Sequence, residues 1–475
     1  MMKFTRYVAT VMSLMLALSL MAIEPQDAVN KFAGDKALRH ALVGVAVYDI
    51  DSMRTIAGNH IDLAVITAST MKTVTSTAAL EYLGADFKFK TPVYLLGDTL
   101  QGRLAGNLLV VGTGDPTIGS KYFKSNPSIV GEIVEALKRC GITRIDGRIV
   151  VDESLYRFPY YNIHWDVGDL AWDYGAAVHP FNYRDNVTNV SFKIDKWGRF
   201  SDAKLTPSST GVQIINRTTM STSHSDFDMA LEYGTPAVVL TGEIKPGSHE
   251  FTVTNPLPQA AFIDELMRAL ASAGIAVGND DDVLSDVPHP QRMPLVTHES
   301  PVLPEIITSL LDRSDNMFAH ALLRAVAVNS KGWKGGDVDR AGIQQVTRML
   351  DHYGCDTDAL FMRDGSGLAR AGRASARMLV QMLAAVAEKR YGDVRLCDLM
   401  PKAGKRIGNL LPNTHLRSDI VIKSGSMTDV QCFVGYYPAS KPRYAFAVLV
   451  NNYNCTRADL KDKIDRLLIN LFDDK

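Results

Sequence analysis

Apolar positions change their spacing along the chain. Near the start, and again after residue 295, they recur every three or four positions, which is the spacing of a helix face. Helices of this kind are predicted at 24–39, 69–83, 303–311, 317–327, 340–353, 375–388 and 457–472. Apolar runs predict strands at 43–50, 420–424, 430–437 and 444–451. Both ends of the chain therefore combine helices with strands.

The middle of the chain has a different pattern. From about residue 92, short apolar runs alternate with turns, and 192–245 has the two-residue alternation of β-strands with many Ser and Thr. Two helices are predicted here, at 129–140 and 260–273, and a proline-rich return linker at 288–294. The pattern thus predicts an α+β chain in which a β-rich insertion interrupts one discontinuous domain.

Length and charge narrow the class of protein. The 475 residues suffice for about three domains of ~150 residues each. With 46% hydrophobic and 22% charged residues, the chain can bury large cores. A net charge of −1 without long basic runs gives no reason to expect a nucleic-acid partner.

The N-terminus predicts export. Lys3 and Arg6 precede an apolar run at 7–22, with small residues for cleavage at 17–19 and at Ala22. A signal peptide at about residues 1–22 is the favoured interpretation. An uncleaved membrane anchor is the alternative, and peripheral membrane association stays open.

The five cysteines follow no metal-binding pattern. Their spacing contains neither a zinc motif nor Cys-x-x-Cys. We expect no metal site in the chain, and no cofactor. Their pairing stays open, and buried apolar residues are favoured over a disulfide scaffold because a chain of this size needs no covalent staples.

Three short motifs carry the candidate chemistry: Ser-Thr-Met-Lys at 69–72, Ser-Asp-Asn at 314–316 and Lys-Ser-Gly at 423–425. Each alone has an ordinary explanation, respectively a helix start, a helix cap and a strand with an edge lysine. Together they have the order found in enzymes that acylate a serine with penicillin-like or D-alanyl substrates.

The first motif supplies a nucleophile and its base. Ser69 and Lys72 lie one helical turn apart, and a serine hydroxyl needs such a base beside it. Lysine acts as a base only when neutral, so burial or a nearby positive charge, which Lys423 could provide, must lower its pKa.

The other motifs would bind substrate and move protons. Ser314 would pass a proton between Lys72 and the leaving amine, and Asn316 would hold the substrate amide and orient Lys72. In the third motif, Lys423 with the hydroxyls of Ser424 and Ser426 could bind a carboxylate. Gly425 inside a strand suggests close approach of a ligand. The backbone N–H groups of Ser426 and Ser69 could form an oxyanion hole.

With these motifs the sequence resembles the class C low-molecular-mass penicillin-binding proteins, the D-alanyl-D-alanine carboxypeptidase/endopeptidase group. The resemblance covers essentially the whole mature chain. About 240 residues separate Lys72 from Ser314, far more than in a class A β-lactamase. Segments 106–117, 172–176 and 364–370 are similar to three further signatures of the family.

The resemblance implies a multi-domain fold. A serine β-lactamase/transpeptidase-like domain, with an antiparallel sheet between helices, would comprise 23–91 and 295–475. A large inserted second domain would comprise 92–190 and 250–294, and a nested β-rich third domain 191–249.

The resemblance also implies a pocket that reads the side chain of a peptidoglycan stem peptide. Matching residues are Asp169, Tyr174, Arg370 and Thr428. An aspartate would pair with an ammonium and an arginine with a carboxylate, and a diaminopimelate side chain ends in both groups.

The implied function is that of a periplasmic serine D-Ala-D-Ala carboxypeptidase, with endopeptidase activity on cross-links. Its partners would be the stem peptide and β-lactam antibiotics, the latter as covalent inhibitors. A β-lactamase with the same motifs and a non-catalytic cell-wall binding protein are the alternatives.

Overall fold

A computed structural model of the chain describes residues 24–473, apart from 158, 209–210, 233–234, 236, 279–291, 405–409 and 413. The predicted signal peptide and residues 288–291 of the predicted linker lie outside the described residues.

The described helices lie in the order that the sequence predicts, with additional short ones. They are α1 Pro25–Ala33, α2 Met71–Leu83, α3 Ile129–Arg139, α4 Pro258–Ser272, α5 Leu303–Arg313, α6 Asn316–Val328, α7 Val338–His352, α8 Ala376–Val386, α9 Leu396–Leu399, α10 Leu416–Asp419 and α11 Arg457–Phe472. No helix in this part of the chain is long and apolar enough to cross a membrane.

The described strands fall into five sheets. They are β1 Leu42–Asp49, β2 Arg54–Asn59, β3 Val65–Ile66, β4 Lys90–Leu100, β5 Arg103–Val111, β6 Arg144–Ile145, β7 Ile149–Asp152, β8 Val187–Ile194, β9 Lys204–Thr206, β10 Gln213–Asn216, β11 Thr219–Met220, β12 Asp226–Leu231, β13 Ala237–Ile244, β14 Gly247–Thr254, β15 Ala276–Val277, β16 Arg292–Glu299, β17 Arg373–Ala374, β18 Val421–Met427, β19 Val430–Tyr437 and β20 Tyr444–Asn451.

A five-stranded antiparallel sheet joins the two ends of the chain. Its strand order is β18-β19-β20-β1-β2. Strands β19 and β20 are buried along their whole length because helices cover both faces. Val434 and Tyr436 belong to the core that includes α2, α6 and α8, whereas Phe433 and Tyr437 belong to the core with α1 and α11. The predicted fold class, an α+β protein with an antiparallel sheet between helices, is confirmed.

The middle segment builds further sheets of its own. Strands β4, β5, β6, β7, β15 and β16 form a mixed sheet that packs with α3 and α4. Strands β8, β9 and β14 form a three-stranded antiparallel sheet, and β10 to β13 form a four-stranded one. Val190, Phe192 and Leu240 lie in the core that these two small sheets share.

The predicted domain boundaries at 91, 190, 250 and 294 fall inside strands β4, β8, β14 and β16. The linker predicted at 288–294 was wrong for residues 292–294, which begin β16 and pair with β4. Proline misled that prediction: β16 is an edge strand whose register shifts between Pro294 and Val296, and an edge or a bulge tolerates proline.

Candidate active site

Ser69 lies in a tight turn directly before α2. A 3-10 turn spans Ala68–Thr70, so the nucleophile precedes the α-helix proper, which begins at Met71. The hydroxyl of Thr70 donates to the Thr67 carbonyl (2.8 Å) and closes this turn. Lys72 follows in the first turn of α2, and its Nζ lies 2.8 Å from Ser69 Oγ.

Lys72 is fully buried. Burial lowers the pKa of Lys72 to about 7, against the opposing charges of Asp364 and Asp315. The sequence predicted that the charge of Lys423 could produce this lowering. In the structure burial is the main cause of the lowered pKa of Lys72, and the pKa of Lys423 is lowered by burial and, after it, by the charge of Lys72.

The contacts of Lys72 aim its lone pair. Its Nζ lies 2.6 Å from Asn316 Oδ1 and 2.8 Å from the Ser366 carbonyl oxygen. Both oxygens only accept hydrogen bonds, so the two N–H groups of a neutral amine are used there. The lone pair is then left facing the hydroxyl of Ser69, which is the geometry that a general base requires.

Asn316 begins α6, where Asp315 caps the helix by accepting from Phe318 N (3.0 Å). Its amide has a second fixed contact, because Nδ2 donates to the Tyr174 carbonyl (2.8 Å). One N–H of the amide remains to bind a substrate carbonyl. The middle segment therefore contributes directly to the orientation of Asn316.

Ser314 contacts the other lysine. It ends α5 in a left-handed conformation (φ 62°), and its hydroxyl accepts from Lys423 Nζ at 2.9 Å. Lys423 is also buried, and burial followed by the charge of Lys72 places its pKa well below the usual value. In the structure the Ser314 hydroxyl thus contacts Lys423, whereas the sequence predicted that Ser314 passes a proton between Lys72 and the leaving amine.

Gly425 is required by close packing of protein backbone. A Cβ at Gly425 would lie 2.7 Å from Ser69 N and 2.9 Å from Thr67 O. The sequence predicted approach of a ligand here, but the approaching group is the turn that carries the nucleophile. Strand β18 therefore sets the position of the Ser69 backbone N–H.

The predicted site residues come together around one cleft of about 350 Å³. Besides Ser69, its lining includes Ser314, Asn316, Ser424, Ser426, Asp169, Tyr174, Arg370 and Thr428. Lys72 and Lys423 lie beneath this surface and reach it through their contacts with Ser69 and Ser314.

The four residues of the predicted side-chain pocket lie at this cleft, and a further charged residue, Asp166, pairs with one of them. The hydroxyl of Tyr174 donates to Asp169 Oδ1 (3.1 Å), and burial raises the pKa of Asp169. Arg370 Nε lies 3.0 Å from Asp166 Oδ2. Sequence reasoning missed Asp166, because nothing in its local pattern distinguishes it from a solvated loop aspartate.

Sequence reasoning singled out the segment 364–370 as similar to a family signature but did not predict the contact that this loop makes with Lys72. Asp-Gly-Ser-Gly at 364–367 is the pattern of a turn, and in the structure the Ser366 carbonyl of this turn accepts from Lys72. The glycines on either side of Ser366 were the available signal for a backbone that approaches other groups closely.

Two other sequence expectations concern cysteines and metals. All five cysteines are described and have free thiols, with Cys355, Cys397 and Cys432 buried. Within the described ranges, no three His, Cys, Asp or Glu side chains are grouped as a metal site.

The comparisons with known proteins agree on one family. The profile of the D-Ala-D-Ala carboxypeptidase 3 (S13) family matches residues 26–471. A D-alanyl-D-alanine carboxypeptidase of Actinomadura sp. is 25% identical over 91% of this chain and 81% of its own length. The D-alanyl-D-alanine carboxypeptidase DacB of Haemophilus influenzae is 27% identical, over 89% of this chain and 88% of its own.

Solved structures show the same fold. Penicillin binding protein 4 (dacB) of Haemophilus influenzae superposes with a TM-score of 0.77 at 22% identity, covering 94% of this chain and 98% of that protein. A second structure of the same protein, complexed with a β-lactam, gives a TM-score of 0.72. The chain therefore belongs to the D-Ala-D-Ala carboxypeptidase 3 (S13) family, and the predicted class C low-molecular-mass penicillin-binding protein with serine-type D-Ala-D-Ala carboxypeptidase activity is confirmed.

Proposed function

We propose that this carboxypeptidase works through an acyl-Ser69 intermediate on peptidoglycan stem peptides in the periplasm, and that it also cleaves cross-links as a DD-endopeptidase. The observation that carries the proposal is the contact between Lys72 Nζ and Ser69 Oγ, 2.8 Å, with a lysine whose pKa burial lowers to about 7. A lysine of this kind is a competent base near neutral pH.

Acylation begins when the Lys72 lone pair accepts the proton of Ser69. The freed Oγ attacks the carbonyl carbon that precedes the terminal D-alanine. The backbone N–H groups of Ser69 and Ser426 receive the negative charge of the tetrahedral intermediate. Packing of Gly425 against the Ser69 turn supports this step, since it holds together the turn that carries Ser69 N–H and strand β18, which carries Ser426 N–H.

The leaving D-alanine needs a proton as its C–N bond breaks. Ser314 would deliver one by passing on the proton that Lys72 took from Ser69, so that Lys72 is neutral again once D-alanine has left; Lys423 holds the Ser314 hydroxyl at 2.9 Å. Lys423, Ser424 and Ser426 bind the terminal carboxylate. Water then attacks the acyl-Ser69 ester, releases the shortened peptide and returns Ser69 and Lys72 to their starting protonation.

The side-chain pocket selects the stem peptide. Asp169, with the Tyr174 hydroxyl on it, would bind the ammonium of a diaminopimelate side chain, and Arg370 its carboxylate. Arg370 would exchange Asp166 for the substrate carboxylate on binding. Thr428 on the same cleft wall supplies a further hydroxyl.

Export to the periplasm rests on the signal-like residues 1–22. Covalent inhibition by β-lactams rests on the same chemistry, because their leaving group stays attached to the acyl-enzyme and hinders the water. The β-lactam complex of the Haemophilus protein supports this assignment by its fold.

Labelled penicillin tests the nucleophile. The wild-type protein should bind one label covalently, and Ser69→Ala should bind none. Ser76→Ala is the matched control, because Ser76 is a buried serine of α2, the helix that follows the Ser69 turn, and its hydroxyl has no partner among the described residues. Covalent labelling of Ser69→Ala would overturn the mechanism, and rapid steady turnover of penicillin would favour a β-lactamase.

Purified peptidoglycan tests the substrate. Mass analysis of the products should show loss of one D-alanine from pentapeptides and conversion of cross-linked dimers into monomers. Binding of peptidoglycan without either product would support a non-catalytic wall-binding protein.

A further inference from the structure

A buried carboxylate outside the three motifs organises the loop beside Lys72. Asp364 is 2% exposed and follows α7 in the chain. Its two oxygens accept six hydrogen bonds, from the backbone N–H groups of Ser366, Gly367, Leu368 and Ala369, the Ser366 hydroxyl and the Trp165 indole. Six donors suit an ionised carboxylate, which accepts hydrogen bonds and donates none.

This arrangement fixes a backbone carbonyl. Because four successive N–H groups turn inward to Asp364, the chain wraps around the carboxylate, and the Ser366 carbonyl is left 2.8 Å from Lys72 Nζ. Gly367 (φ +76°) presses the loop against the nucleophile turn, since a Cβ there would lie 2.0 Å from Ala68 O. The hydroxyl of Thr75 on α2 holds the other side through the Gly365 carbonyl (2.7 Å).

One of the six donors comes from the middle segment of the chain. Trp165 is 5% exposed and packs its ring 5.4 Å from that of His320 on α6. Its indole N–H donates to the same Asp364 oxygen that accepts from Leu368 and Ala369. A continuous series of contacts thus runs from Trp165 through Asp364 and the Ser366 carbonyl to Lys72.

We propose that Asp364, held by Trp165, is a positioning residue that keeps the Ser366 carbonyl on Lys72 and thereby aims the lysine lone pair at Ser69. The proposal deepens the proposed acyl-Ser69 mechanism and rests on it. Without a fixed Ser366 carbonyl, one N–H of the neutral amine loses its acceptor. The amine can then rotate, and its lone pair faces Ser69 for only part of the time.

The charges around Lys72 give this role a distinctive signature. Asp364 and Asp315 favour its protonated form, while burial and then the charge of Lys72 disfavour the protonated form of Lys423. Removing the negative charge of Asp364 makes Lys72 easier to deprotonate. Loss of Asp364 should therefore lower the maximal acylation rate constant and also shift the rise of the rate to lower pH. A variant that is merely less stable does not show both effects.

The test is the Asp364→Asn variant. Its acylation by penicillin is measured by rapid mixing at pH values between about 5 and 9. The plateau rate constant for acylation should fall about 10- to 100-fold, while the dissociation constant of the precovalent complex stays within about threefold. The acid limb of the profile should move to lower pH by about one unit. Asp115→Asn is the matched control: it alters a buried, turn-organising aspartate that is not among the residues lining the cleft, and should leave both quantities unchanged.

Trp165→Phe provides a second variant that removes only one donor. Its plateau rate constant should fall about three- to tenfold, in the range of the net contribution of one typical hydrogen bond, because five of the six donors to Asp364 remain. If Asp364→Asn does not fold, this variant decides the question. Wild-type rates in a folded variant, or a loss of rate that merely follows thermal stability with an unmoved acid limb, would overturn the proposal.

A titration of Lys72 separates this proposal from the function itself. With 13C-labelled lysine, the Lys72 ε-carbon resonance should titrate at lower pH in Asp364→Asn than in the wild type. That measurement needs no acylation. If the wild-type protein were not labelled by penicillin at Ser69, the proposed acyl-enzyme mechanism would fail. An unshifted Lys72 titration in Asp364→Asn would separately refute the role of Asp364.

Discussion

Gly425→Ala should separate the nucleophile from the strand beside it. The new methyl carbon would lie 2.7 Å from Ser69 N and 2.9 Å from Thr70 N. An ordinary contact of this kind is about 3.4 Å, so strand β18 and the turn must move apart by about 0.7 Å. Backbone lines this contact, so no flexible side chain can yield.

The expected cost follows from this displacement. Overpacking in a close-packed region costs about 1–3 kcal/mol of folding stability. A shift of this size in the Ser69 N–H and Oγ should lower the acylation rate constant by roughly 100-fold. Stopped-flow acylation by a fluorescent penicillin and urea unfolding measure the two effects.

Gly131→Ala provides the matched control. Gly131 lies in α3, and its added Cβ would meet only the Ser128 Cβ at 3.8 Å, an ordinary contact. This variant should acylate like the wild type and gain about 0.5–1 kcal/mol of stability. Wild-type acylation by a folded Gly425→Ala would refute the inference that this strand positions the nucleophile.

Three other outcomes are expected. Since Lys72 must be neutral to accept a proton and burial lowers its pKa to about 7, acylation should rise about tenfold per pH unit below that pH and level off above it; a flat profile would exclude Lys72 as the base. Arg324→Met should cost about 3–5 kcal/mol in urea unfolding, because it removes the buried guanidinium that pairs with Asp339 and donates to the Tyr160 and Val178 carbonyl oxygens, whereas Arg268→Met at an exposed pair should cost under about 1 kcal/mol. Arg370→Gln should raise KM about tenfold for stem peptides with a free side-chain carboxylate, without changing penicillin acylation; equal effects on both would contradict a role in side-chain recognition.

Much of the catalytic framework follows from sequence because local patterns specify it. Strands β19 and β20 and helix α11 begin and end at the predicted residues, since continuous apolar runs and helical spacing are strong local signals. The three motifs likewise carry their chemistry in residue type and order. The structure places their side chains around one cleft.

Features that depend on distant contacts could not be predicted in the same way. Asp364 and Trp165 lie 199 positions apart, and the local sequence around neither residue predicts their contact. The pairing of Arg370 with Asp166 is also a tertiary contact. Residues 292–294 were misassigned because proline is a turn signal locally, whereas the edge position that tolerates it is a property of the whole sheet.

The hydrogen bond from Asn316 Nδ2 to the Tyr174 carbonyl means that the segment between the first two motifs cannot be removed without affecting the orientation of Asn316. That carbonyl fixes which end of the amide faces Lys72, because the reversed amide would bring two carbonyl oxygens together. A shortened chain that joined the two halves of the catalytic sheet would retain Ser69 and Lys72 yet lose this selection. The segment between the motifs is therefore a working part of the catalytic machinery, and a compact lactamase-sized version could not be made by excision alone.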